Sequence, residues 1–97
     1  MRYEIILAPE AVRDLKELRA RVRSEVRDAI EEHLRHQPTK ASKSRIKRLR
    51  GFSRPQFRLR VGESRVFYDV AGTEVQVLAI VAKSGAEAWL RKSGEAT

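Results

Sequence analysis

The stretch from Gln56 to Val70, QFRLRVGESRVFYDV, decides the fold. From Gln56 to Val61 it alternates, with Phe57, Leu59 and Val61 on one side and Gln56, Arg58 and Arg60 on the other, which is the period of a strand. Gly62-Glu63 is a two-residue turn of the Gly-X kind that suits a tight hairpin, and Ser64 to Val70 is the return strand. A two-residue turn sets the register: Val61 opposite Ser64, Arg60 opposite Arg65, Leu59 opposite Val66, Arg58 opposite Phe67. Paired residues share a face. One face therefore carries Leu59, Val61, Val66 and Tyr68 and is expected to pack on helices; the other carries Arg58, Arg60, Arg65 and Phe67, with Asp69 further along. Like charges directly opposite one another destabilise a sheet. An anion between them relieves that repulsion, and the planar fork of arginine suits phosphate in a way lysine does not copy. A solvated face in an Arg-rich chain is the competing reading of the same residues.

Outward from the hairpin, Ala71-Gly72-Thr73 is a second turn. Val75 to Val81, apolar on both faces, reads as a central strand. On the N-terminal side, Tyr3 to Ala8 reads as a strand stopped by Pro9, which with Glu10 suits the first turn of a helix. Val12, Leu15, Leu18, Val22, Val26, Ile30 and Leu34 then recur at steps of three and four between charged residues. One unbroken helix from Pro9 to about Arg35 would be roughly 40 Å long. A chain of this size should have a radius of gyration near roughly 12–13 Å. A reversal near Ala20-Arg21 is therefore expected, giving a helical hairpin whose stripes face one sheet; the alternative is a single helix pairing with another chain. Lys83 to Leu90 is short and compatible with a helix, and Lys92 to Thr97 reads as a frayed tail. Nothing divides the chain, so residues 1–97 are read as a single domain.

The 97 residues hold 21 Lys+Arg against 13 Asp+Glu, a net charge of +8. That excess favours a polyanionic or acidic partner. No apolar run approaches the roughly 20 residues of a membrane span, and the opening residues do not read as a secretory leader. With no cysteine, disulfide scaffolds, thiolate zinc sites and thiol nucleophiles are excluded, and a reducing cytoplasm is the simplest setting. Part of the charge gathers between Lys40 and Gly51, where Lys40, Lys43, Arg45, Lys47, Arg48 and Arg50 occur with no acid among them. With Ser42, Ser44 and Gly51 this stretch is expected to be a loop or a short basic turn of helix. Lys43, Arg45, Lys47, Arg48 and Arg50 are its candidate nucleic-acid-binding residues, with salt-dependent and mostly sequence-independent affinity for phosphate. A solvated loop, or a docking site for an acidic protein segment, is the alternative. His33 and His36, three apart near a helix end, are a weak metal signal and read as a solvated face. Trp89 suits stacking on a base or plugging a core, and Tyr68 falls on the core face. Asp69 is placed to pair with a hairpin arginine.

Taken together, Arg48-Leu-Arg-Gly51, Phe57-Arg-Leu-Arg-Val-Gly62, Ser64-Arg-Val-Phe-Tyr-Asp69 and the apolar strand Val75 to Val81 resemble the RelE/ParE superfamily of toxin–antitoxin toxins. The resemblance covers nearly the whole chain, including the strand–helix–helix opening. It implies an α+β fold, with an N-terminal strand and a two-helix hairpin packed on a mainly antiparallel sheet of about four strands. It also implies a cytoplasmic toxin held inactive by a cognate antitoxin, which should bring an acidic or amphipathic segment. RelE-like members cut mRNA on the ribosome, while ParE-like members poison DNA gyrase. The cutting branch implies attack of a ribose 2′-hydroxyl on the adjacent phosphate with no metal or other cofactor. Its basic hairpin residues map onto Arg58, Arg60 and Arg65, and a further basic residue after the last main strand maps onto Lys83. This chain departs from that branch at the proton-transfer positions, because arginine stays protonated and is a poor general base. Lys83 is the remaining candidate proton donor. A gyrase inhibitor, or a weakened toxin that keeps antitoxin binding, is the alternative. Charge reversal of Arg65 to glutamate is expected to abolish cleavage and leave folding intact.

Overall fold

The hairpin forms in the register its turn dictates. In a computed structural model that describes residues 1–97, β4 (Phe57–Val61) and β5 (Ser64–Ala71) pair with Val61 opposite Ser64, Arg60 opposite Arg65, Leu59 opposite Val66 and Arg58 opposite Phe67. Gly62 turns the chain at φ +56°, a conformation in which a Cβ would be strained. β6 (Glu74–Ala82) lies antiparallel to β5, with a register shift between Phe67 and Tyr68. Its other edge takes β1 (Glu4–Leu7) in parallel, Glu4 opposite Glu74 and Leu7 opposite Val77. β6 is thus paired on both sides and largely buried, as its unbroken apolar run predicts.

α1 (Pro9–Glu17) and α2 (Ala20–Ala29) pack on one face of the sheet, and α2 continues into a wide helical turn over Ile30–Leu34. The chain reverses at Leu18-Arg19, just ahead of the expected place, where both residues turn extended (ψ 148° and 149°). No glycine or proline forces this break. It lets two short apolar stripes share one sheet within a radius of gyration of 12.2 Å. Ala11, Leu15, Val26, Ile30 and Leu34 meet Phe57, Leu59, Val66, Tyr68, Val75 and Val77 in the core. Each large side chain taken fully from water there contributes about 1.5–3 kcal/mol. Tyr68 is completely buried, stacks on Phe57 at 5.4 Å and donates its hydroxyl to the Pro38 carbonyl oxygen at 2.6 Å. Burial pushes its ionisation far up, so it stays a neutral phenol.

Three expectations change. The main sheet has five strands, ordered β1-β6-β5-β4-β2. The extra edge strand, β2 (Ile46–Arg48), lies in the basic stretch expected to be a loop or helical turn. It forms because Ile46 packs beside Leu59 in the core while the backbone ladders onto β4. The tail is also held: β7 (Glu95–Ala96) pairs with β3 (Phe52–Arg54), and the Thr97 N–H donates to the Gly51 carbonyl at 3.1 Å. Gly94 permits this docking. A Cβ there would lie 2.5 Å from the Leu90 carbonyl oxygen and 2.8 Å from the Phe52 ring. In Gly94→Ala the tail is expected to lift off β3. Amide exchange at Thr97 should then rise to the rate of a free terminus while the β5–β6 amides stay protected.

Asp14 joins the two layers from α1, accepting the Ile80 N–H of β6 at 2.9 Å. Burial raises its pKa and outweighs the lowering effect of that bond. The folded state therefore holds this proton to higher pH than the unfolded chain does. Its contribution to stability is greatest in acid and declines as pH rises from the ordinary carboxyl value through the raised one. Asp14→Asn keeps an acceptor for Ile80 and removes the titration. Its Tm should stay level or rise at neutral pH, and its stability advantage over the parent should shrink as the medium is acidified. A Tm difference independent of pH would contradict this.

Candidate functional site

The face of the sheet away from α1 and α2 is divided in two. One half is covered by α3 (Ala86–Ser93), which follows a short turn over Lys83–Gly85. Trp89 lies flat on Phe67, ring centroids 4.9 Å apart and planes 6° apart, and its Nε1–H donates to the Glu10 carboxylate at 2.7 Å. Of the two roles open to Trp89, the structure shows packing, as a half-buried lid over Phe67 and not as a member of the main core. The other half carries Arg58, Arg60 and Arg65, as the alternation requires.

The three guanidiniums differ. Arg60 is exposed. Arg58 is half-buried, and its Nε is sealed from solvent with no hydrogen-bond acceptor. Burial first, then the charges of Arg65 and Arg60, lower its pKa from the ordinary arginine value, so the site disfavours the very charge it contains. Arg65 is only 6% exposed, and its Nη1 donates to the carbonyls of Gly62 (2.8 Å) and Ser64 (2.9 Å), clasping the hairpin turn. That contact corrects the expectation that Arg65→Glu leaves folding intact, because a carboxylate there would face two carbonyl oxygens. Asp69 is not a counter-ion for this group either. It accepts the Gln56 N–H at 2.7 Å and lies 3.7 Å from Arg54. The ion pairs of the chain use Glu25, Glu31, Glu32 and Asp69, none with a hairpin arginine.

The cations of the basic stretch are dispersed. Lys47 pairs with Arg58 across β2 and β4, so it joins the arginine face. Arg48 pairs with Phe57 and so falls on the opposite face, its guanidinium 5.3 Å from the Phe57 ring centre. Arg50, exposed in the following turn, lines with Lys47 and Arg48 a shallow groove along the β2 edge. Lys43 sits in the exposed bend before β2. The Arg45 carbonyl accepts the Arg60 N–H at 2.8 Å, but its side chain lines a different cleft, with His33 and His36. Lys83 is exposed beside the hairpin turn, its N–H donating to the Glu63 carbonyl at 2.8 Å. The structure therefore brings Lys47 together with Arg58, Arg60 and Arg65, holds Lys83 at the turn end, and leaves Lys43, Arg45, Arg48 and Arg50 outside the cluster. The strand partnership of Lys47 was missed; its only trace in sequence is the alternation Arg45-Ile46-Lys47. No group of three or more His, Cys, Asp or Glu side chains is placed to hold a metal ion.

Residues 5–86 match the profile of a family described as the ParE toxin of type II toxin–antitoxin systems, parDE. The chain belongs to the ParE toxin family. The toxin resembles the solved RelB–RelE antitoxin–toxin complex of Methanococcus jannaschii, with a TM-score of 0.67 and 23% identity over 87% of this chain and 96% of that one. It resembles equally the toxin–antitoxin complex RelBE2 of Mycobacterium tuberculosis (TM-score 0.67, 25% identity, 84% and 99% covered). It is also similar to a mutant of the Escherichia coli toxin RelE in its free state (TM-score 0.57, 18% identity, 92% of each). No curated protein sequence matches it. The toxin has the α+β architecture its sequence resembles, with helices on a mainly antiparallel sheet. No helix in it is long and apolar enough to cross a membrane.

Proposed function

We propose that this toxin cleaves ribosome-bound mRNA, with the arginine face as the site that receives the scissile phosphate. The observation that carries the reading is a cluster of guanidiniums without a counter-ion: half-buried Arg58 is pressed by the charges of Arg65 and Arg60, and no carboxylate pairs with any of the three. A phosphate supplies the missing negative charge and can accept from the exposed Arg60. In the reaction the ribose 2′-oxygen bonds to phosphorus and the bond to the leaving 5′-oxygen breaks, giving a 2′,3′-cyclic phosphate and a 5′-hydroxyl. Arg58, Arg60 and Arg65, with Lys47, stabilise the charge that builds on the non-bridging oxygens. Lys83, at the turn end of the same hairpin, donates the proton to the leaving oxygen, and water takes the proton from the 2′-hydroxyl. The site of action places the toxin in the cytoplasm.

A second reading, inhibition of DNA gyrase without catalysis, is favoured by one observation. The side chains that alternate onto the face, Lys47, Arg58, Arg60, Arg65 and Phe67, include no histidine or carboxylate to serve as a general base. Inducing the toxin in cells and mapping mRNA 5′ ends separates the two. Codon-periodic cuts during translation are the expected result. Intact mRNA with broken DNA and an SOS response would reject cleavage.

The partner that keeps the toxin inactive is a cognate antitoxin, a reading supported by the neighbours solved as complexes. The uncompensated cations at Lys47, Arg58 and Arg60 call for an acidic segment over this face. Affinity is then expected to fall steeply between low and high salt, since exposed charges are screened within about 8–10 Å near physiological ionic strength. Salt-insensitive binding would instead place the antitoxin on an apolar groove.

A further inference from the structure

His33, His36 and Lys40 take no part in the arginine face. They line a cleft of about 260 Å³ between the end of the second helix and the bend that leads into β2. Its only apolar wall is Ile46, which belongs to the opposite, core face. We propose that this cleft is a second anion site, built to hold a phosphate group. The site stands apart from the RNA-cleaving reading and does not depend on it.

The cleft holds a surplus of donors over acceptors. Lys40 and Arg45 bring two full positive charges, and Gln37 and Ser42 bring further N–H and O–H groups. Against them stands one carboxylate, Glu32, whose side chain is 75% exposed and whose Oε2 lies 3.8 Å from His33 Nε2. The helix C-terminus nearby carries only about half a negative charge, which the two cations outweigh. The bend that carries Ser42 and Arg45 is held in place. Ser42 Oγ accepts the N–H groups of Arg45 (3.0 Å) and Ile46 (3.2 Å), and the Ser42 N–H donates to the Ile46 carbonyl at 2.9 Å. With both lone pairs occupied, the Ser42 hydroxyl is left as a donor at the wall of the cleft. His36 Nδ1 lies 3.2 Å from the Met1 carbonyl oxygen, a contact that orients the ring. A donor-rich concavity of this size fits a tetrahedral oxyanion.

The phosphate has two possible sources, a small free anion or the backbone of a nucleic acid, and titration distinguishes them. The full-length protein, in dilute chloride buffer, is titrated with inorganic phosphate and separately with a short single-stranded oligoribonucleotide. The imidazole signals of His33 and His36 and the amides of Ser42 and Arg45 are followed by NMR. Saturable shifts with phosphate alone assign a small oxyanion; saturable shifts with the oligonucleotide alone assign a phosphodiester. Lys40→Gln, at an exposed side chain, should weaken the response about tenfold, the equivalent of one charge-assisted hydrogen bond. Lys92→Gln, at an exposed residue of α3 outside both sites, should leave it unchanged. The proposal is overturned if neither ligand gives saturable shifts, if Lys40→Gln binds as the parent does, or if Lys92→Gln weakens the response as much.

Discussion

Phe67→Ala is expected to destabilise the protein by about 3–5 kcal/mol, the usual cost of deleting a fully buried phenyl ring. Phe67 is 1% exposed and is the floor on which Trp89 lies. Removing it opens a void beneath the indole, and α3 has no buried residue of its own to hold it elsewhere. Small domains are stable by only about 5–15 kcal/mol, so the loss is a large fraction of the whole. At about 4–8 °C per kcal/mol, Tm should fall by on the order of 20 °C. The single tryptophan reports the same event, since its emission should move toward that of a solvated indole before the sheet melts. A loss below about 1 kcal/mol, within the range of ordinary surface substitutions, would mean that α3 does not dock on this face.

Arg60→Glu is expected to have the largest effect on activity, with little effect on folding. Its side chain is exposed and clasps no backbone group, so stability should stay within about 0.5 kcal/mol of the parent. Loss of one preorganised donor to a developing oxyanion costs about 10²–10³ in rate, and a carboxylate in its place adds repulsion against the phosphate. Codon-periodic mRNA ends should vanish from cells expressing the variant, while its thermal transition is unchanged. Full cleavage by a folded Arg60→Glu protein would remove the arginine face from the reaction. Arg65→Glu is the poorer test. Its guanidinium is buried against the Gly62 and Ser64 carbonyls, so lost activity there would mix chemistry with unfolding.

Most of the sheet was legible because one local feature, the Gly62-Glu63 turn, has a long reach. A two-residue loop fixes the pairing of every residue behind it, and pairing fixes faces. The helical reversal was legible only through size, since no residue at Leu18-Arg19 marks it. β2 was not legible, because a lone Ile46 among cations has no periodicity of its own. It becomes a strand by laddering onto β4, a contact made outside its own stretch. The tail was misread for a similar reason, since its order depends on the fit of Gly94 against Phe52. At the site, the alternation placed Arg58, Arg60 and Arg65 on one face but could not rank them. Only the backbone carbonyls around Arg65 and the absent acceptor at Arg58 show that one arginine clasps the turn while its neighbour is left unsatisfied.

The parallel pairing of β1 with β6 bears on when the molecule becomes dangerous. Glu4 finds its partner at Glu74, so the first strand made waits for nearly the last, and such distant pairings form slowly. During synthesis α2 can already meet β4 and β5, but β1 has no neighbour to ladder onto until β6 has emerged. The toxin fold is thus closed only once β6 has emerged, after the hairpin that carries the arginine face.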